Sequence, residues 1–418
     1  IKKIIPQCPI LLDIPGKKIR TAKLNYEPSF QIGDILILTT KSGFDGKEKI
    51  SLTNDKLHKF LKKNDILYAD DGSLKFNVLK VINKDIYIKA HVSGKLKSSK
   101  GINVPHVNIM GNLITDRDKK MLKFAEQNKV DFVGLSFIES GEHLKKIRKL
   151  IKGEIPKLVA KIENQAGLDN KEDIISNSDC IMIDRGDLST ETNLETLPRN
   201  QKIIIKTCID NHKPVIVATE MLDNMIKNPY PTKAEVLDIY NSINDGATLT
   251  MLSGETAVGN YPVDSIKVMK NISEKVPRNG LNINNNNTES YGKALAVKTL
   301  CDNLPIAKVV AITVSGFAAR IISSKAINQP ILALTNRREL ARSFNIYAGT
   351  KGIYINTKFF KNKLDHIPEC LKYLWKIKEI NNKDVILVVA LGYPASGRRM
   401  NLIQTHYVKD LIKVFKWN

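Results

Sequence analysis

The chain has 418 residues, 42% hydrophobic and 26% charged, and this ordinary globular balance excludes a largely disordered or fibrous protein. No apolar run approaches the roughly 18 to 20 residues that a bilayer-spanning helix needs, so we expect no membrane partner. The net charge of +22 leaves three explanations open: a biased surface, which the scattered lysines favour, a nucleic-acid site, or an electrostatic aid to phosphate substrates.

The first hundred residues predict a short strand followed by a β-rich insert. A brief apolar strand, Pro9 to Asp13, is followed by Gly16 to Arg20 and then by short β-rich segments from Ile32 to Val104. Glycines and Asp-Gly pairs break these segments, which is typical of all-β structure. We therefore predict an all-β domain inserted between two strands of another domain.

Strands and helices alternate from Val130 to about Val276. Continuous apolar strands between helices indicate a parallel sheet that is covered on both faces. Five such units in succession favour a (β/α) barrel over an open sheet. The Asn- and Gly-rich stretch 278–288 predicts a linker to a further α/β unit, with strands at 309–313, 330–334, 352–355 and 385–391.

Four of the predicted barrel strands end in polar residues. Lys161 and Glu163 are two positions apart and therefore point to the same face of their strand. Three later strands lead into the segments 184–187, 219–220 and 253–256, which are also polar. Because parallel barrels carry their chemistry at the carboxyl ends of the strands, this pattern predicts an active site there.

The segments 161–164, 185–188, 218–222 and 251–257 resemble motifs of the pyruvate kinase family. Segments 68–72 and 100–105 are similar to the lid domain of that family, and the resemblance covers nearly the whole chain. It implies an α/β fold: a (β/α)8 TIM-type barrel at 1–20 and 106–278, a β-barrel lid at 21–105, and a C-terminal α/β domain at 279–418 for effector and oligomer contacts. The first two barrel strands of the family are absent here, so we expect the barrel to have about six of its eight strands. We also expect that part of the real protein is missing from this sequence.

The resemblance implies transfer of a phosphoryl group from phosphoenolpyruvate to ADP, or to another nucleoside diphosphate, giving pyruvate and ATP in the last step of glycolysis. It also implies a homotetramer without a nucleic-acid partner. Two alternatives stay open: a catalytically inactive protein that binds phosphorylated metabolites, and a nucleic-acid-binding role suggested by the charge. The lysine- and asparagine-rich surface resembles an organellar, plastid-type branch of the family, with the cytoplasm as the alternative compartment.

By the same resemblance, phosphoryl transfer and protonation depend on Lys161, Thr219, Ser253 and Glu255. Lys161, Gly186, Asp187 and Thr219 would bind substrate, and Arg20 and Lys100, at the hinges of the lid, would bind nucleotide phosphates. Glu163 and Asp187 offer the hard oxygen ligands that Mg²⁺ (or Mn²⁺) prefers. Most of these residues also have an explanation without a catalytic or binding role. These are a strand-end ion pair for Lys161, solvated acids for Glu163 and Asp187, turn formation for Ser253 and Glu255, and free surface cations for Arg20 and Lys100.

Several positions depart from the pattern of the family. Asp13 matches a ligand for K⁺, but Ile14 replaces a threonine and Lys18 stands where K⁺-dependent members carry glutamate, so K⁺ is expected to be dispensable. Asp184 adds a carboxylate beside the predicted metal site. The loop containing Thr313, Ser315, Gly316 and Ala318 resembles a sugar-phosphate effector loop, although an ordinary βα turn explains it equally well.

Overall fold

The structure, a computed structural model, describes residues 1–16, 18–70, 72–105, 114–277, 289–360, 364–391 and 400–417. The predicted linker at 278–288 therefore lies outside the described residues, as does Asp71 in the lid motif. The strands are, in chain order, β1 (Leu11–Ile14), β2 (Ile19–Arg20), β3 (Ser29–Phe30), β4 (Ile35–Thr39), β5 (Ile50–Ser51), β6 (Ile66–Ala69), β7 (Leu74–Ile82), β8 (Asp85–Ala90), β9 (Gly94–Lys95), β10 (Gly101–Asn103), β11 (Phe132–Leu135), β12 (Lys157–Ile162), β13 (Cys180–Asp184), β14 (Val215–Ala218), β15 (Leu249–Met251), β16 (Lys308–Ile312), β17 (Ile331–Thr335), β18 (Thr350–Tyr354), β19 (Val385–Ala390) and β20 (Leu402–Tyr407).

The α-helices connect the strands of the barrel and of the C-terminal unit. They are α1 (Asp116–Gln127), α2 (Gly141–Arg148), α3 (Gln165–Asp169), α4 (Lys171–Asn177), α5 (Arg185–Glu191), α6 (Leu197–Asp210), α7 (Lys233–Asn244), α8 (Gly254–Ala257), α9 (Pro262–Lys275), α10 (Glu289–Asn303), α11 (Phe317–Ser323), α12 (Arg338–Ala341), α13 (His366–Lys376) and α14 (Val408–Phe415). Among the described residues, no helix has the length and apolar character to cross a bilayer.

The barrel sheet has six strands in the order β1-β11-β12-β13-β14-β15, and every neighbouring pair is parallel. The expectation of six strands is confirmed for the described residues. Strands β11 and β13 are buried along their whole length because the sheet is covered on both faces. One apolar cluster packs the helices against the sheet, and a second joins strand residues such as Val159 and Met182 to the C-terminal unit.

The inserted lid contains a seven-stranded sheet in the order β2-β10-β6-β7-β8-β4-β5. A backbone bridge between Thr21 and Leu52 joins the two outermost strands, so the sheet closes into a small barrel. The short strand β2 pairs with β10, which places both hinge segments of the insert side by side. The C-terminal unit has five strands in the order β18-β17-β16-β19-β20, and only β20 is antiparallel to its neighbour.

These three sheets agree with the fold class drawn from the sequence. The domain limits at residues 20, 105 and 278 stay predictions. Strand β2, which ends at the first of these limits, pairs with the lid sheet. The parallel register brings the carboxyl ends of β12, β13 and β14 to one edge: Ile162 lies opposite Ile183, and Asp184 lies opposite Ala218. This edge carries the candidate site.

Candidate active site

Lys161 lies at the centre of a group of carboxylates at the carboxyl edge of the barrel sheet. Its ammonium is 2.9 Å from Glu163 Oε1, 3.0 Å from Asp184 Oδ2 and 3.5 Å from Asp13 Oδ2. It also donates a hydrogen bond of 3.2 Å to Ser136 Oγ. Burial opposes the charge on Lys161, but the neighbouring carboxylates outweigh it and raise the pKa of the side chain. The lysine is therefore a fixed cation at neutral pH.

Glu163 is fully buried beside this cation. Its Oε2 atom accepts a hydrogen bond of 2.5 Å from the backbone N–H of Phe137. Burial raises the pKa of Glu163; the Lys161 ammonium acts against this rise, whereas the charges of Asp184 and Asp187 add to it. The site thus holds more negative charge than its protein cations balance, so a further cation would stabilise it.

Glu163, Asp184 and Asp187 form a carboxylate cluster that fits a divalent metal ion. All three are buried, and one oxygen of each lies within 4.8 Å of the others. Oxygen ligands of this kind suit Mg²⁺, which commonly takes one or two carboxylates and keeps other positions for substrate and water. The predicted ligands Glu163 and Asp187 are therefore brought together, and Asp184 joins them.

Asp187 is also contacted by residues at the base of the lid. The Lys18 ammonium lies 2.7 and 2.6 Å from the two Asp187 oxygens, and the lysine side chain is only 13% exposed. Asn103 Nδ2 donates to Asp187 Oδ1 at 3.2 Å and to Glu191 Oε1 at 2.8 Å. Both hinge segments of the lid therefore reach the proposed metal cluster.

Thr219 and Gly186 face each other at the same edge. The backbone N–H of Gly186 donates to Thr219 Oγ1 at 2.9 Å, and that hydroxyl donates to Ala218 O at 2.6 Å. Two of the predicted substrate-binding residues, Gly186 and Thr219, are thus bonded to each other.

Comparison with known proteins identifies the arrangement. The model of the pyruvate kinase barrel domain matches residues 1–266, and the model of the pyruvate kinase alpha/beta domain matches residues 294–406. The chain belongs to the pyruvate kinase family. It is 36% identical to the pyruvate kinase of Clostridium perfringens and 34% identical to that of Thermotoga maritima, covering 93% and 94% of this chain and 84% and 86% of those proteins. A crystal structure of a pyruvate kinase from Cryptosporidium parvum superposes with a TM-score of 0.82 at 29% identity, over 97% of this chain and 86% of that one.

The residues predicted for K⁺ differ in what they can offer. Asp13 lies in β1, one residue before its end, with its side chain 55% exposed, and Gly134 on β11 leaves room for it, since a Cβ there would lie 2.6 Å from Asp13 Oδ1. Ile14 is buried in the core, and its carbonyl accepts a hydrogen bond from Ser136 N–H. The Ile14 side chain therefore has no ligand atom to contribute, and its role stays a prediction.

Ser253 and Glu255 lie just after β15, at the turn that begins the short helix α8. Glu255 is fully buried, and its two carboxylate oxygens accept hydrogen bonds from the N–H groups of Leu222 at 2.9 Å and Ser253 at 2.7 Å. This geometry gives Glu255 a structural role that ties the turn to the loop after β14. Participation of either residue in proton transfer stays a prediction.

The predicted nucleotide contacts lie at the hinge of the lid. Arg20 donates to Ser99 O at 3.0 Å, and Lys100 forms an ion pair of 2.6 Å with Asp70. Each of these two cations therefore has a partner within the lid, and their contact with nucleotide phosphates stays a prediction.

In the loop that resembles an effector site, a backbone N–H is bonded to a side chain of the same loop. Gly316 N–H donates to Thr313 Oγ1 at 3.2 Å, and Ala318 is buried in the core, whereas Ser315 is exposed. Gly316 has a φ of 81°, and a Cβ there would lie 2.4 Å from the Phe344 ring. These contacts are those of an ordinary βα turn, and effector binding stays a prediction.

Three residues that contact the candidate site were not predicted from the sequence. Ser136 follows β11 at the same edge, so the rule that pointed to Lys161 could have found it. Asn103 contacts Asp187 from the lid, and Arg185 contacts the Thr219 backbone from the first residue of α5. No local pattern signals either contact, because each depends on how distant segments pack.

Proposed function

We propose that this chain has pyruvate kinase activity: it transfers the phosphoryl group of phosphoenolpyruvate to ADP, and a proton then converts enolpyruvate to pyruvate. The observation that supports this best is the fixed Lys161 cation beside the carboxylate cluster of Glu163, Asp184 and Asp187. Phosphoryl transfer depends on positioning and on neutralising the charge of the moving group, and this edge of the barrel supplies both.

Each residue has a separate part in this reaction. Lys161 would lie against the phosphoryl group and the enolate oxygen. The P–O bond of phosphoenolpyruvate breaks there as an ADP oxygen forms a new P–O bond and the enolate leaves. Glu163 and Asp187 would hold Mg²⁺ or Mn²⁺, and the bound ion would supply positive charge that stabilises the negative charge of the phosphoryl oxygens. Thr219 would orient the water that protonates the methylene carbon. Arg20 and Lys100 would meet the nucleotide phosphates as the lid closes.

A coupled assay for pyruvate formation tests the proposal. The purified chain, given phosphoenolpyruvate, ADP and Mg²⁺, is expected to produce pyruvate and ATP in equal amounts. Binding of phosphoenolpyruvate without turnover would instead identify the inactive, metabolite-binding alternative. The homotetramer and the organellar compartment stay predictions, to be checked by mass measurement in solution and by localisation of the tagged chain.

K⁺ is expected to be dispensable because Lys18 already places a fixed cation at the base of the lid, 2.6 Å from Asp187. With tetramethylammonium as the only added monovalent cation, activity should match that in K⁺. Lys18→Glu reverses this charge and is expected to lower activity about tenfold without K⁺, with recovery when K⁺ is added.

Lys89→Glu provides the control, because it makes the same charge change on an exposed position of the lid strand β8. It should leave the response to K⁺ unchanged. Collapse of wild-type activity in tetramethylammonium, restored by K⁺, would contradict the proposal.

A further inference from the structure

The turn after β14 has two consecutive non-glycine residues in the left-handed region. Thr219 has a φ of 67° and Glu220 a φ of 52°. Left-handed backbone is unfavourable for residues with a Cβ and persists only where the surroundings hold it, often at active sites. Thr219 is β-branched, so its conformation is especially unfavourable. Something in the structure must therefore hold this turn.

Arg185 provides the contacts that hold it. Its Nε and Nη2 atoms donate to the carbonyl of Thr219 at 3.1 and 2.6 Å, and Nη2 also donates to the carbonyl of Glu220 at 2.8 Å. Nη1 forms an ion pair of 2.5 Å with Asp238 on α7, which fixes the other side of the guanidinium. Arg185 is only 5% exposed, so these bonds are shielded from water. One planar group thus fastens both strained residues.

The contacts of Arg185 with the Thr219–Glu220 turn, called the clamp below, are connected to the proposed site through the start of α5. Arg185 is the first residue of α5, and the next residue, Gly186, donates its N–H to Thr219 Oγ1 at 2.9 Å. Two residues farther along the chain from Arg185 lies Asp187, a member of the carboxylate cluster. The backbone and the hydroxyl of Thr219 are therefore both fixed relative to the start of α5.

We propose that Arg185 is a positioning residue: it holds the Thr219–Glu220 turn in the left-handed conformation and so keeps the Thr219 hydroxyl at the reacting edge. The inference rests on the proposed function, because Thr219 matters only if the edge turns over substrate. It adds a role for a residue that touches no reacting group.

The first test is Arg185→Lys, which keeps the positive charge but cannot donate to both carbonyls with a planar fork. Its kcat is expected to fall about tenfold or more, while the KM for phosphoenolpyruvate changes less, since among the described residues the bonds of its guanidinium go to the loop after β14 and to Asp238, not to Lys161 or the carboxylate cluster. Asp238→Asn removes the ion pair but leaves the two carbonyl contacts available, and it should lower kcat much less.

Rescue separates positioning from a general loss of structure. Glu220→Gly allows a positive φ without strain, so the double variant R185K/E220G is expected to recover most of the lost kcat. Asp223→Gly is the matched control, because it removes another exposed carboxylate from the same loop at a residue without a positive φ. R185K/D223G should stay as slow as R185K.

Hydrogen exchange of the peptide spanning 219–222 gives a readout that needs no activity. It should be faster in R185K than in the wild type, and slower again in R185K/E220G. Unchanged exchange in R185K, or equal failure of E220G and D223G to restore kcat, would overturn the clamp. A wild type that forms no pyruvate while R185K speeds exchange and E220G reverses it would refute the proposed function but support the clamp.

Discussion

Replacing Lys161 by methionine is expected to slow pyruvate formation by about 10³-fold, the size of effect seen when a preorganised group that stabilises transition-state charge is removed. The ammonium lies within 3.5 Å of three carboxylates of this edge, and methionine keeps the length of the side chain without its charge. The measurement is kcat in the coupled assay, together with the unfolding temperature of the variant.

A loss of fold and a loss of chemistry can be told apart by metal binding. Removing the Lys161 cation removes a charge that repels a divalent ion, so the affinity for Mn²⁺ should hold or rise in Lys161→Met. Lys157→Met is the matched control, since Lys157 begins the same strand at its opposite end, over the Phe344 ring. Comparable loss of kcat in both variants would contradict the role of Lys161.

Glu163→Gln is expected to weaken Mn²⁺ binding by about 100-fold. Loss of a residue that only supports a metal ligand typically weakens binding by about 10- to 100-fold, and loss of a ligand should cost at least as much. The amide keeps the shape of the side chain, and its single oxygen can still accept the hydrogen bond from Phe137 N–H in one orientation. It removes the charge that attracts the ion. Mn²⁺ binding to the substrate-free protein, followed by electron paramagnetic resonance, measures the effect without turnover.

The pH dependence of binding supplies a second check. Because burial raises the pKa of Glu163, part of the metal-free protein carries a proton there, and that proton must leave before an ion binds. Wild-type affinity for Mn²⁺ should therefore rise with pH across the neutral range, and Glu163→Gln should flatten the rise. Glu191→Gln, the same change at a half-buried neighbour that bonds Asn103, is the control; equal weakening in both variants would place the ion elsewhere.

Sequence periodicity predicted the gathering of Lys161, Glu163 and Asp187 because it depends on two general rules. Alternate residues of a strand share a face, and parallel strands present their carboxyl ends at one edge. The order of βα units and the turn-rich insert were readable for the same reason: local patterns of apolar residues reflect which faces become buried. The family motifs then gave these positions chemical roles.

Contacts between distant segments were not readable in this way. Lys18 and Asp187 are 169 positions apart, and their contact depends on how the lid is seated on the barrel. The role of Glu255 as an acceptor for two backbone N–H groups also went unseen, because an acid in a Ser-Gly-Glu turn looks the same whether it serves structure or chemistry.

The amino-acid sequence by itself determined the order of the strands, the three structural units and the residue types at the carboxyl edge, because burial periodicity and strand direction are local properties. Only the tertiary structure decided which charges balance: that Lys161 faces three carboxylates, that Lys18 pairs with Asp187, and that Arg185 holds two left-handed residues. Electrostatic interactions and backbone strain depend on distances of a few ångströms across the fold, and those distances exist only once the chain has packed.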